Sequence, residues 1–247
     1  VDVAYPFLLE VYVDFSNEKI SREEILEIFS MVENYVFRRS MCDVPTNSLN
    51  TTFANLTTEI DKEKYLESVK AYFILNDSSR RFPSDNEFKD KFIAKDVYNT
   101  IRIRKYLLAK LENYERKEPV NIDDYTIEHI MPQNKNLSEE WKKDLGTDWN
   151  EVQEKHLHTI GNLSLTGYNS ELSDKPFLEK RNMVGGFADS PIRLNGDLSK
   201  LDSSNEDEIL KRANSLSNKA IKIWKYPQLS EEVLSKYTKI EDGGEED

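Results

Sequence analysis

One cysteine, Cys42, is all the chain contains, so no internal disulfide can form and a cysteine-built zinc site is excluded. Single-cysteine usage points to a reducing compartment, and a cytosolic location is expected. Glycine and proline are sparse, 8 of each in 247 residues, which excludes collagen-like and elastomeric chains. Long apolar runs are missing too. Ala71-Tyr-Phe-Ile-Leu75 is among the longest, far short of the roughly 18 residues that span a bilayer, so a membrane span is not expected. No basic and apolar leader with a small-residue cleavage site opens the chain. It begins at Val1 rather than Met, and is expected to be part of a longer protein.

Basic charge is also in deficit. Lys and Arg total 34 against 46 Asp and Glu, for a net charge of −12. The terminal segment 241–247 holds five acids and no base and is expected to be a disordered tail, yet the chain stays acidic without it. Any nucleic acid would therefore meet a local patch, or be gripped mostly by another part of a longer protein, and binding by this chain is expected to be weak and salt-sensitive, since phosphate neutralisation supplies most of such affinity. What is present is the balance of a folded protein, 38% hydrophobic and 32% charged, with enough chain for a substantial core.

Helical periodicity dominates the first half. Ile25, Leu26, Ile28, Phe29, Val32, Tyr35 and Val36 recur at three- and four-residue steps between Ser21 and Arg39. Ser21 and Glu24 stand at capping-box spacing. Further helices are expected over Lys62–Leu75, from Ser84 through Phe92, and from about Val97 to Arg116. The last would place Tyr98, Ile101, Leu108, Leu111 and Tyr114 inward. Its Arg102, Arg104, Lys105 and Lys110 would form a solvated face or a phosphate-facing strip.

Past Pro119 the texture changes. Tyr125–Ile130 is β-prone and stops at Pro132, and helical stretches follow at Ser138–Lys143 and Glu151–His156. His158–Thr166 is β-prone again, and a helical pattern runs from Asn169 through Arg181. A long amphipathic helix is expected from about Asn205 to Trp224. The expected fold is thus mainly α, of the α+β kind, with helical bundle regions around a small ββα core. The expected divisions are a helical region 1–118, the core 119–195, and a C-terminal helical segment 196–240 packed on the helical region.

Two strands and a helix in that order would bring Glu128, His129, Asn162 and Asn169 together. A carboxylate and an amide carbonyl are hard oxygen donors suited to Mg2+ or Mn2+. An imidazole whose other ring nitrogen is held by a backbone carbonyl can take a proton from water near neutral pH. Cation and base are what phosphodiester hydrolysis requires. His156 and His158, two residues apart, could face a metal from one strand, but with no third His or Cys nearby structural or solvent-exposed roles are expected. The sequence offers no argument for a base beside Cys42, which is not expected to be a nucleophile. The aromatics are expected to be core material rather than a base-stacking platform.

Ile127-Glu-His-Ile-Met-Pro-Gln133 followed by Ile160-Gly-Asn-Leu-Ser-Leu-Thr-Gly-Tyr-Asn-Ser170 resembles the HNH, or ββα-metal, nuclease signature. Around it, Tyr35–Asn47, Phe88–Leu108, Lys175–Arg181 and Ile223–Pro227 resemble the C-terminal half of GmrSD-type, modification-dependent restriction endonucleases. The resemblance covers roughly residues 20–227. It implies a metal-dependent DNA endonuclease of a bacterial, cytoplasmic anti-phage system. His129 would be the general base, Asn162 the amide that ties the loop and orients it, and Glu128 and Asn169 the ligands of Mg2+ or Mn2+. Lys175, Lys180 and Arg181, with Arg193 beyond, would contact the scissile strand. The partner would be DNA, modified phage DNA in particular, presented by an upstream nucleotide-handling domain. No GxxxxGK[ST] loop occurs in this chain, so no tight nucleotide binding is expected of it. Two other readings stay open: a non-catalytic docking module with a degenerate HNH core, and a ribonuclease.

Overall fold

The structure, a computed structural model, describes residues 2–100 and 103–238. Ile101, Arg102 and the acidic segment 241–247 lie outside the described residues, and so do the expectations placed on them. In chain order the elements are α1 (Tyr5–Ser16), α2 (Arg22–Met41), α3 (Leu49–Glu59), α4 (Tyr65–Leu75), α5 (Asp85–Ala94) and α6 (Arg104–Asn113). Then come β1 (Thr126–His129), α7 (Glu139–Leu145), α8 (Trp149–His156) and β2 (Leu163–Thr166). The chain continues through α9 (Asn169–Leu172), α10 (Phe177–Asn182), α11 (Glu206–Ile223) and α12 (Glu231–Leu234). The protein is mainly α, with one small two-stranded sheet among the described residues.

Two compact units are formed, one by residues 1–88 and 224–247 and the other by 89–223. In the first, α1 to α4 surround a core that includes Phe7, Ile28, Tyr35, Phe53, Val69 and Phe73. The capping box forms as the spacing predicts: the Ser21 hydroxyl accepts from Glu24 N, and the Glu24 carboxylate accepts from Ser21 N at 2.8 Å. The sequence pattern assigns neither α1 nor α3. Leu9, Tyr12 and Val13 on α1 are exposed while Phe7 and Val11 are buried, so its apolar residues do not trace a single face.

The second unit contains the expected core 119–195 but is larger, holding α6 and α11 as well. The helix expected from Val97 to Arg116 forms only over α6. Asp96 accepts from Asn99 N and Nδ2, and Val97 N and Tyr98 N donate to His158 O, so residues 96–100 turn instead of coiling. The helix expected from Asn169 to Arg181 is broken in two. Ser173 adopts φ 42°, and Pro176, lacking an N–H, can begin α10 but not continue α9.

β1 and β2 pair antiparallel, Thr126 opposite Thr166 and His129 opposite Leu163. A hairpin of four residues a side is marginal on its own. Here it is held from outside. α11 presses on the turn before β2, where a Cβ at Gly161 would lie 2.4 Å from Ile209 O. The buried Arg212 of that helix donates to Ile160 O, Gly161 O and Leu194 O. Asn195, also buried, donates to Leu165 O and bonds the Ser164 hydroxyl.

Candidate active site

His129 ends β1, with its imidazole buried. Its Nε2 lies 3.1 Å from Nδ1 of His158, and the Tyr98 ring meets it edge-on at 4.4 Å. Tyr98 in turn stacks on His158 at 5.4 Å and 13°, beneath the guanidinium of Arg104. Burial, with His158 and Lys180 close by, pushes the His129 imidazole down to about 3. The ring is therefore neutral across the physiological range, with one N–H and one lone pair.

Asn162 is completely buried and fully bonded. Its Oδ1 accepts from Met131 N at 2.7 Å, and its Nδ2 donates to Met131 O and Leu157 O. Asn162 O also accepts from Ile130 N. The residue thus staples the segment leaving β1 to the turn entering β2, which fixes the strand end that carries His129.

Glu128 and His129 are neighbours on a strand, so their side chains leave on opposite faces. The Glu128 carboxylate is buried with the Lys180 ammonium 2.6 Å away. Lys180 also donates to His129 O and Ile130 O, so all three of its protons have acceptors. Burial pushes Glu128 up and Lys180 down, each opposed by the partner's charge. Asn169, exposed at the start of α9, donates its Nδ2 to Ile127 O.

These placements change the role expected of Lys180. Lys180 does not face a scissile strand: it is fully buried, because its ammonium is the counter-charge of Glu128 and caps the end of β1. Lys175 pairs with Glu179, and Arg181 donates to Leu201 O and to Asp202. Arg193 reaches Tyr114 O. His156 and His158 do not share a strand face, since residue 156 ends α8 and bonds Glu206 at 2.9 Å while His158 turns to His129. Cys42 is buried at the end of α2.

A divalent cation would need a carboxylate with free lone pairs beside a second donor. In this fold the Glu128 carboxylate is engaged by the Lys180 ammonium, whereas Asn169 donates only its Nδ2, to Ile127 O, and keeps Oδ1, the atom that would hold a cation. Asn169 fits as a donor, and Glu128 would join it only on release from Lys180. Among the described residues, no three His, Cys, Asp or Glu side chains are grouped to hold a metal. No helix among them is long and apolar enough to cross a membrane.

Sequence reasoning missed Tyr98 and His158. Tyr98 was counted on a helix that does not reach it. The available signal was that two of the chain's three histidines flank the hairpin, one ending β1 and the other four residues before Asn162.

The model of one protein family, described as GmrSD restriction endonucleases, C-terminal domain, matches residues 82–219, more than half of the chain. No curated protein matches it.

Proposed function

The chain belongs to the C-terminal domain family of the GmrSD restriction endonucleases, and on that premise we propose that its 89–223 unit is an HNH-type module hydrolysing DNA phosphodiester bonds. The observation that carries this reading is the His129 imidazole at the end of a stapled hairpin, held at Nε2 by His158, so that in the proposed step Nδ1 is the nitrogen that meets a water molecule. In the proposed step His129 takes a proton from that water. The hydroxide oxygen attacks phosphorus, the P–O bond to the leaving oxygen breaks, the leaving oxygen takes a proton from solvent, and His129 releases its own proton to solvent. Asn162 keeps the strand end in register, and Lys180 neutralises Glu128 behind it.

A requirement for Mg2+ or Mn2+ is part of the proposal on the strength of the family. So are modified phage DNA as the natural substrate, an upstream nucleotide-handling domain and a bacterial cytoplasmic setting. The Glu128–Lys180 pair favours one competing reading, a docking module whose HNH core no longer cleaves. Supercoiled-plasmid nicking with Mg2+, Mn2+ or EDTA, comparing wild type with His129→Ala, separates them. A cation-dependent rate that drops about 10²- to 10⁴-fold in a folded variant is the expected result for a general base. No cleavage of plasmid, of modified phage DNA or of matched RNA would leave the docking module as the better description.

A further inference from the structure

Resting on that reading of His129, we propose that His158 is its positioning residue, fixing the neutral ring in the tautomer that carries the proton on Nε2. An N···N contact of 3.1 Å between two imidazoles needs one hydrogen between them, so one ring donates and the other accepts. With Nε2 occupied, Nδ1 is the nitrogen left to meet water. Nδ1 has a lone pair only if the ring's proton is on Nε2. The productive arrangement is therefore His129 Nε2–H donating to His158 Nδ1, with His158 protonated on its own Nε2. The opposite arrangement would put a proton on His129 Nδ1 and remove the base.

The surroundings hold His158 in place for this task. Its carbonyl accepts from Val97 N at 2.9 Å and Tyr98 N at 3.3 Å, and the Tyr98 ring lies nearly parallel to its own. That same ring packs edge-on against His129, so one tyrosine sets the angle between both imidazoles, 79° with centroids 5.2 Å apart. His158 belongs to the turn that Asn162 closes through Leu157 O, which links its position to the hairpin staple. An imidazole here does for His129 what a carbonyl or carboxylate does for other catalytic histidines: it selects the tautomer and the ring direction.

The test uses two substitutions in the full chain. His158→Phe keeps a flat ring against Tyr98 but removes the acceptor. His158→Asn offers Oδ1 close to the position of Nδ1 and restores it. With ¹⁵N-labelled histidine, three imidazoles give a spectrum simple enough to assign, His156→Gln identifying one of them. The wild type is expected to show His129 in the Nε2–H form at neutral pH, lost or mixed in His158→Phe and retained in His158→Asn. The nicking rate is expected to fall about 10²-fold in the phenylalanine variant with little change in KM, and to recover in the asparagine variant. A His129 ring in the Nδ1–H form, or one whose tautomer is the same with phenylalanine at 158, overturns the proposal. The spectroscopic arm reads His129 even if the wild type cleaves nothing, so failure of this inference and failure of the nuclease reading remain distinct.

Discussion

Residues 1–88 with 224–247 and residues 89–223 both bury cations, but the surroundings differ. In the first unit Arg38 is fully buried and donates to Trp224 O, Pro83 O and the half-exposed Asp85, with Phe88 4.7 Å from its guanidinium. Around it the contacts are largely aromatic, Phe37 stacking on Trp224 at 4.0 Å and Tyr35 meeting Phe73 at 4.7 Å. In the second unit Lys180 faces a carboxylate as buried as itself, Arg212 holds three carbonyls, and Glu112 accepts from Arg193 N and Leu194 N. Aromatic rings enclose the buried cation of the first unit, whereas that of the second is matched by an equally buried carboxylate. The reason lies in the hairpin: four-residue strands contribute too little ladder and core to hold themselves, so buried side chains tie their ends.

Lys180→Met offers the sharpest break of this comparison. It strands a buried carboxylate and frees two carbonyls, and urea denaturation should show a loss of about 3–5 kcal/mol. Adding Glu128→Leu should return most of it, since the double variant leaves no uncompensated charge. If the single variant were as stable as wild type, the pair would not organise this unit. Trp224→Ala probes the other interior, where removal of a fully buried ring should cost about 3–4 kcal/mol by the same measurement. Gly161→Ala, with its Cβ against Ile209 O, should cost about 1–3 kcal/mol and move Asn162; thermal melts would register the first effect and amide shifts the second.

The smallest effect concerns pH. His129 is held down near 3 in the fold against an ordinary value of 6.5, so the unfolded chain binds that proton first. Its contribution is complete above about pH 6.5 and is lost as pH falls from there toward 3. Between pH 7 and 5.5 the loss should be about 1 kcal/mol, and a His129→Gln variant should show a flatter denaturation profile over that window. An unchanged slope would mean that the buried ring is not what titrates.

Much of this molecule could be read from the chain. Ser21 and Glu24 announced the start of α2 because a capping box is local chemistry. The strand, helices, strand, helix order of the hairpin region was legible from alternation and from Pro132 and Gly167. The 96–100 turn was not, because a helical pattern of apolar residues from Tyr98 onward gives no sign that Asp96 and the His158 carbonyl will capture those amides.

The sequence by itself determined the mainly α class, the small ββα core and the residues worth suspecting, since periodicity, caps and motif order are properties of neighbouring residues. Only the tertiary structure decided what each of them touches. Lys180 and Glu128 are 52 positions apart and His129 and His158 are 29 apart, separations at which spacing carries no information about contact. Packing α10 and the turn before β2 against the end of β1 turned an expected DNA contact into an internal counter-charge. It also turned a histidine expected to be structural or solvent-exposed into the partner of the candidate base.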